Sequence, residues 1–221
     1  MNDSPLISVI VPAFNAEKYI GRCLRSLLRQ TLSSDLYEVI VVDDCSTDKT
    51  SYALELFYDA IKCITNDSNI GLPASLNKAL RLARGEFIVR VDSDDYVNKH
   101  FLNILYLFIT TNCSYDAYAC DYLLVDNDEN VIGKSNCMDE PIACGIIFKL
   151  DDIKSVGLYD ESFRCHEDRD LRKRFEQRFK VGRCELPLYR YRRHETNMTN
   201  DLEQMKKYQT NYIKKHGTDF Q

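Results

Sequence analysis

The sequence has no long apolar run. Its richest stretch, FLNILYLFITTN at 101–112, falls short of the roughly 18 apolar residues expected of a membrane span. The first residues, MNDSPLISVIVPAFN, lack the basic start of a secretory signal, and their apolar run is short. We therefore expect a cytoplasmic protein with neither a leader nor a spanning helix.

Paired cysteines and an excess of positive charge are also missing. The nine cysteines are odd in number and scattered, and none form a CxxC pair. This pattern indicates reduced thiols rather than a disulfide framework or a zinc site. The formal net charge of -5 implies no general attraction to nucleic acid, so we expect no nucleic-acid partner.

Glycine loops that bind phosphate are absent too. The first apolar strand is followed by PAFNAEKY instead of GxGxxG, and GxxxxGK[ST] occurs nowhere. No GxSxG motif supplies a nucleophile, and Cys165 and His166 are neighbours on an extended segment, where adjacent side chains point to opposite faces. These absences argue against dinucleotide-dependent enzymes, P-loop NTPases and enzymes that form a covalent intermediate.

What the first half does contain is a regular alternation of strands and helices. Continuous apolar runs predict buried strands at 7–12, 37–44, 63–65 and 86–91. Amphipathic segments between them predict helices at 17–30, 48–61 and 73–84, with Asn15 as the N-cap of the first. The alternation is typical of a mostly parallel, Rossmann-like α/β sheet flanked by helices.

The second half has a mixed pattern. We expect helices at 98–110, 150–157, 167–179 and near the C-terminus, a hairpin of 116–126 with 130–133, a strand at 142–149 and an extended segment at 186–194. No repeat, low-complexity segment or linker divides the chain. We predict one domain over 1–221, with a nucleotide-binding half at 1–95 and an acceptor-binding, catalytic half at 96–221.

Acidic residues follow two of the predicted strands. Asp43 and Asp44 end the second strand, and Asp92, Asp94 and Asp95 follow the fourth. Carboxyl ends of parallel strands meet at one edge of a sheet, where like charges repel unless a cation or a donor-rich ligand is present. The DSDD motif has no evident basic counterpart of its own. Its carboxylate oxygens favour Mg²⁺ or Mn²⁺ as the bound cation, together with a phosphate-bearing molecule.

For some of these acids a structural role is equally open. Side-chain oxygens of aspartate often cap turns and helix starts. This alternative applies to Asp43, Asp48 and Asp95.

Four segments occur together in one order: SVIVPAFNAEKYIGRCLRSLLRQT, EVIVVDDCSTDKT, NIGLPASLNKALRLARGEFIVRVDSDD and HEDRDLRKRF. In this order and spacing, from residue 7 to about 194, the chain resembles family 2 glycosyltransferases with the GT-A fold. The resemblance implies an inverting enzyme that moves a sugar from a nucleotide diphosphate to an acceptor hydroxyl. Such a single displacement needs a base and a stabilised leaving group but no enzyme nucleophile.

The resemblance also implies roles for individual residues. Donor contacts fall on Pro12, Ala13, Asn15, Asp44, Asn69, Asp92 and Ser93, with Asp44 at the base. Asp94 would hold the metal, with Asp92 at the ribose or a metal water and His194 as a further ligand. Asp168 matches the catalytic base, with Glu167 beside it, and Gly145 lies where relatives line the acceptor pocket.

Alternatives remain for three of these assignments. His194 could be an ordinary histidine of an Arg/Tyr-rich strand, and Gly145 could merely relieve crowding in a strand. Acids at 167 and 168 are favoured by the helix dipole alone. A catalytically inactive, nucleotide-sugar-binding module is the alternative for the whole chain.

Donor, acceptor and location follow from the same reasoning. A carboxylate at Asp44 only accepts hydrogen bonds, so it favours the ring N–H of uracil, thymine or guanine, and we expect a UDP-sugar first. The basic stretch 169–193 is either a solvated face or contacts the diphosphate or an anionic, lipid-linked acceptor. We expect a saccharide or lipid-linked acceptor in cell-surface polysaccharide or glycoconjugate synthesis, with peripheral contact to the inner membrane surface. No apolar helix follows these motifs before Gln221, which argues against a processive, membrane-embedded polymerase.

Overall fold

Nine strands of the described part of the chain form one sheet. The structure, a computed structural model, describes residues 4–195, 197 and 200–217. The strands are β1 (Ile7–Ala13), β2 (Tyr37–Asp43), β3 (Lys62–Thr65), β4 (Phe87–Arg90), β5 (Tyr96–Val97), β6 (Ala117–Val125), β7 (Val131–Ser135), β8 (Ile146–Lys149) and β9 (Val181–Arg192). Their order across the sheet is β3-β2-β1-β4-β8-β6-β9-β5, and β7 pairs with β6.

The first four strands are parallel. β1 pairs with β2 and with β4, and β2 pairs with β3. Every residue of β1 is buried, as expected of a strand covered on both faces. The helices of this half are α1 (Ile20–Leu27), α2 (Thr50–Glu55) and α3 (Leu72–Leu82). The predicted Rossmann-like α/β half is confirmed.

Two of these helices are shorter than predicted. α1 occupies Ile20–Leu27 instead of 17–30, and α2 ends at Glu55 although its pattern continues to 61. In α2 only Thr50 and Leu54 are buried. Beyond its end, Phe57 and Ile61 are only partly buried against the core, and the chain continues as turns up to residue 60.

The predicted N-cap at Asn15 is wrong. The residue before α1 is Tyr19, which makes no side-chain cap. Asn15 lies in the left-handed region at φ 50°, and its Oδ1 accepts the Thr47 N–H at 2.8 Å. The asparagine thus ties the loop after β1 to the loop after β2 instead of starting a helix.

The second half makes the sheet mixed. β8 is antiparallel to both β4 and β6, whereas β9 is parallel to β6 and antiparallel to β5. The predicted hairpin is confirmed as the β6–β7 pair. The helices of this half are α4 (Phe101–Thr111), α5 (Leu150–Ser155), α6 (Glu167–Glu176) and α7 (Leu202–His216). One sheet therefore includes strands of both halves, while the predicted division at residue 95 stays a prediction.

Apolar side chains fill the space on both faces of this sheet. One core cluster packs α1 and α4 against the sheet, and a second contains α3, α5 and α6 residues. Within the residues the structure covers, no helix has both the length and the apolarity needed to cross a bilayer.

Candidate active site

The two aspartates at the end of β2 have different surroundings. Oδ1 of Asp43 accepts the Ser46 N–H at 3.1 Å and the Ser46 hydroxyl at 2.5 Å, which confirms the turn-capping interpretation for this residue. Asp48 likewise accepts from the Thr50 N–H at 2.9 Å. Asp43 and Asp48 therefore have structural roles, and Asp44 is the remaining carboxylate at this strand end.

Asp44 holds the loop that precedes α3. Its Oδ1 accepts from Asn66 Nδ2 at 2.8 Å and from the Ile70 N–H at 2.9 Å, and its Oδ2 accepts the Gly71 N–H at 2.8 Å. An ionised carboxylate has about four acceptor positions, so these three contacts do not use them all, although the residue is only 4% exposed. Asn69 lies exposed in the same loop.

The loop after β1 lies next to Asp44. Pro12 and Ala13 are buried at the end of β1, and the Ala13 carbonyl accepts the Asp44 N–H at 2.8 Å. The next side chain, Phe14, is 49% exposed although it is large and apolar. Phe14 was not among the candidate site residues predicted from the sequence. The available signal was an aromatic residue placed directly after a buried strand.

Arg90 was also missed, and it corrects the expectation that the DSDD motif has no basic counterpart. Its guanidinium is buried, with Nε 2.7 Å from Asp92 Oδ1 and Nη1 3.0 Å from Glu167 Oε1. One cation therefore joins the end of β4 to the start of α6. The available signal was an arginine in an otherwise apolar strand, because a buried charge needs a partner.

Burial has the largest effect on the pKa of Glu167. Removal of this carboxyl from water raises its pKa to about 7, against the opposing effect of Arg90. Asp95 is similarly buried, and burial holds its pKa well above the usual range. It accepts the Tyr189 hydroxyl at 2.7 Å and the Arg192 N–H at 2.7 Å, so its role is to attach the motif to β9.

Asp94 and His194 lie 100 residues apart in the sequence and come together in the fold. His194 Nε2 lies 2.9 Å from Asp94 Oδ2, and Arg192 Nε donates to the Asp94 carbonyl at 2.9 Å. The His194 ring stacks on Tyr19, with ring centroids 4.9 Å apart. Ser93, the middle residue of the motif, is half-buried.

This pair fits a divalent cation. Two neighbouring ligands of an octahedral ion bound at about 2.1 Å lie about 3 Å apart, close to the observed 2.9 Å between Asp94 Oδ2 and His194 Nε2. The carboxylate suits Mg²⁺ and Mn²⁺ alike, whereas the imidazole nitrogen favours Mn²⁺. Two protein ligands leave further positions of the ion for phosphate oxygens.

A second cluster fits a metal poorly. Ligand atoms of Asp92, Asp95 and Cys144 lie within 4.8 Å of one another. Burial raises the pKa of the Cys144 thiol well above its usual value, so the thiol keeps its proton and hydrogen-bonds to Asp92. With Asp92 held by Arg90 and Asp95 held by Tyr189, this cluster is part of the packing beneath the site.

The two acids at the start of α6 face different surroundings. Glu167 is buried against Arg90, whereas Asp168 is half-buried and lines a small, largely apolar cavity. Two residues further, the buried Asp170 accepts from Arg174 Nε at 2.9 Å and contacts His216 Nε2 at 2.7 Å. The end of α7 therefore supports the helix that carries both acids.

Gly145 is buried just before β8. It has φ +71°, and a Cβ there would lie 3.3 Å from Cys120 Sγ and from Tyr189 Cδ2. A left-handed conformation and close neighbours both favour glycine at this position. The backbone turn at Gly145 also explains why β8 begins at Ile146 rather than at residue 142. This supports the crowding alternative, while contact with an acceptor stays a prediction.

The basic stretch is largely engaged with the protein itself. Arg183 Nε binds Asp121 at 2.9 Å, Arg174 binds Asp170, and Arg192 Nη1 donates to the carbonyls of Asp126 and Asn127 at 3.2 and 3.1 Å. For Arg174 and Arg192, whose side chains are 19% and 3% exposed, the solvated-face interpretation is wrong, whereas the paired side chain of Arg183 stays 33% exposed. Contact of the remaining stretch with a diphosphate or a membrane stays a prediction.

Comparison with known proteins confirms the family resemblance. The model of the family described as Glycosyl transferase family 2 matches residues 8–186. The poly(ribitol-phosphate) beta-N-acetylglucosaminyltransferase TarS of Staphylococcus aureus is 43% identical over 121 residues, which are 53% of this chain and 20% of TarS. The poly(ribitol-phosphate) beta-glucosyltransferase of Bacillus spizizenii is 40% identical over 112 residues, 49% of this chain and 18% of that protein.

Solved structures agree. S. aureus TarS 1–349 in complex with UDP-GlcNAc has a TM-score of 0.76 at 26% identity, covering 97% of this chain and 68% of that one. The mannosyltransferase PcManGT of Pyrobaculum calidifontis, solved with GDP-Man and Mn²⁺, has a TM-score of 0.75 at 19% identity, covering 97% of this chain and 64% of that one, and shows the fold alone. The chain spans about a fifth of the length of the curated relatives above. Because the family model covers most of the sequence and both carboxylate-bearing strand ends, the chain has the GT-A fold and belongs to glycosyl transferase family 2.

Proposed function

We propose that this chain transfers a sugar, with inversion, from a UDP-sugar to an acceptor hydroxyl. The observation that carries the proposal is the contrast at the start of α6. Glu167 is held by Arg90, while Asp168 lines a cavity and has no such constraint from Arg90. The relatives named as poly(ribitol-phosphate) glycosyltransferases and the TarS structure with UDP-GlcNAc support the donor class and a cell-surface polysaccharide as acceptor.

In the proposed reaction Asp168 is the general base. Its carboxylate takes the proton of the acceptor hydroxyl while that oxygen bonds to the anomeric carbon and the bond to the diphosphate breaks. Negative charge in the first turn of α6 is favoured by the helix dipole. Arg90 joins Glu167 to Asp92, so the base and the donor-binding loop share one rigid support.

Asp94 and His194 would hold the divalent ion, Mn²⁺ or Mg²⁺. Bound there, the ion would neutralise charge on the leaving diphosphate. Pro12, Ala13, Asn15, Asn69 and Ser93 are proposed to line the nucleotide, with Asp92 at the ribose and Asp44 at the base. Cytoplasmic location and peripheral membrane contact stay predictions.

The first test of this function is metal dependence. We expect UDP with Mn²⁺ to raise the melting temperature of the protein by mass action on the folded state, and a chelator to abolish both this stabilisation and sugar transfer. Asp94→Asn should lose both effects, because the amide removes one anionic ligand. Differential scanning fluorimetry and a donor-turnover assay measure them.

The matched control is Asp128→Asn, which removes the same charge from an exposed turn. It should behave as the unsubstituted protein. Undiminished transfer in excess chelator would contradict the metal assignment. Tight donor binding without turnover, across all nucleotide-sugars and acceptors tried, would instead favour the inactive binding module.

The second test concerns the nucleotide base. The exposed ring of Phe14 follows Ala13, whose carbonyl binds the Asp44 N–H. A base that donates its ring N–H to Asp44 would be able to stack on this ring. Because base–aromatic stacking contributes about 1–3 kcal/mol, Phe14→Ala should weaken UDP binding about five- to a hundredfold, and Phe14→Tyr should preserve it.

Titration calorimetry with UDP, dTDP, GDP, CDP and ADP measures these affinities. We expect UDP to bind most tightly, and CDP and ADP to bind more weakly than the first three. CDP or ADP binding more tightly than all three would exclude the acceptor role of Asp44.

A further inference from the structure

The cavity beside Asp168 has one polar side and one apolar side. Ile142 and Ile146 come from the β8 region and Tyr159 from the segment before α6, while Asp168 and Arg172 come from α6 itself. Asp168 and Arg172 are four residues apart on a helix, so they lie on the same face. A ligand at Asp168 would therefore also meet Arg172.

Arg172 differs from the other arginines of the basic stretch. Its Nε donates to Glu176 Oε1 at 2.7 Å, and its Nη2 donates to the Met138 sulfur at 3.9 Å. Its Nη1 is buried and has no hydrogen-bond partner among the described residues. By contrast, Arg174 and Arg183 are each held by a carboxylate through two nitrogens.

Such an incompletely paired guanidinium destabilises the protein when no ligand is bound. A buried N–H without an acceptor loses its hydration, and the cost is larger for a charged group. A thioether is a weak acceptor, so two adjacent nitrogens of the fork lack a strong partner. The guanidinium fork matches the oxygen pairs of a phosphate or a carboxylate.

From this geometry we propose that Arg172 binds an oxyanion of the acceptor while an acceptor hydroxyl meets Asp168, so that the site selects acidic acceptors. This inference rests on the proposed function of Asp168. Cβ atoms four residues apart on a helix are separated by about 5–6 Å, which a hydroxyl and an oxyanion on one short polyol can span. The positive charge of Arg172 also offsets repulsion between Asp168 and an acidic acceptor.

Three small probes test the inference: glycerol 3-phosphate, glycerate and glycerol, which carry a phosphate, a carboxylate and no acid. Each is titrated into the protein saturated with UDP and Mn²⁺, and binding is followed by NMR chemical shifts. We expect at least one acid to bind about tenfold or more tightly than glycerol, the scale of a hydrogen bond to a charged group. The more tightly bound acid identifies the anion.

Substitutions test whether Arg172 causes the preference for acidic probes over glycerol. Arg172→Met should abolish it, Arg172→Lys should retain part of it, and the affinity for UDP should change less than about threefold, because the cavity lies on the acceptor side. The matched control is Lys173→Met, which removes one charge from the same helix without touching the cavity. If Arg172→Met does not fold, a preference that is reduced but still present in Arg172→Lys, which keeps the charge but not the fork, supports the same conclusion.

Two results would overturn the inference: equal binding of all three probes, or an acid preference that survives in Arg172→Met. Failure of UDP itself to bind would refute the proposed function instead. The two failures are therefore distinguishable within one experiment.

Discussion

Asp168→Asn is expected to lower kcat by about 10²–10⁴, the usual contribution of a positioned general base. The amide keeps the size of the side chain but removes most of its basicity, so the acceptor hydroxyl loses its proton acceptor. Donor affinity should change less than about threefold, because only the transition state needs the base. Steady-state kinetics with the donor identified by calorimetry measure both quantities.

Glu167→Gln is the matched control for this substitution. Glu167 is buried and its Oε1 lies 3.0 Å from Arg90 Nη1, so its loss should act on stability more than on chemistry. A kcat for Asp168→Asn equal to that of the unsubstituted enzyme would overturn the assignment. A hundredfold loss confined to Glu167→Gln would transfer the role of base to that residue.

Arg90→Met is expected to destabilise the fold by about 3–5 kcal/mol, because it leaves the carboxylates of Asp92 and Glu167 without their shared cation. For a chain of this size that corresponds to a fall in melting temperature of roughly 10 °C. Urea unfolding and calorimetry measure the loss. Arg84→Met removes an exposed ion pair with Glu38 and should cost about 1 kcal/mol or less.

The stability lost in Arg90→Met should also depend on pH. The folded-state pKa of Glu167, about 7, lies above the ordinary value of 4.5, so the folded state binds an extra proton between about pH 4.5 and 7. The stability contributed by this extra proton is fully present below about pH 4.5 and is lost as pH rises through about 7. Without Arg90 the pKa of Glu167 rises further, so the deficit should be larger at pH 8 than at pH 5.5. A deficit that is the same at both pH values would exclude this coupling, and Arg90→Met/Glu167→Gln should recover part of the loss.

Sequence reasoning worked best where structure is local. The strands at 7–12, 37–44 and 86–91 were predicted because a continuous apolar run needs no knowledge of its neighbours. Helix ends were predicted less well, since the length of α2 depends on what its surface packs against. Asp43 and Asp44 could not be told apart from sequence. Their roles depend on which N–H groups reach each carboxylate: Ser46 for Asp43, and the loop before α3 for Asp44.

By itself the sequence determined the α/β alternation, the carboxylates at two strand ends and the family, because these depend on the order and spacing of residues along the chain. Only the tertiary structure brought Arg90 to Glu167, 77 residues away. The pairing of His194 with Asp94, 100 residues away, was implied by the family resemblance, and the structure supplied its geometry. It also left Arg172 Nη1 buried beside the cavity of Asp168, with no hydrogen-bond partner in the described part of the chain. Such contacts depend on how β4, β9 and α6 pack against one another. The partner of a buried charge is set by that packing and not by neighbouring residues in the sequence.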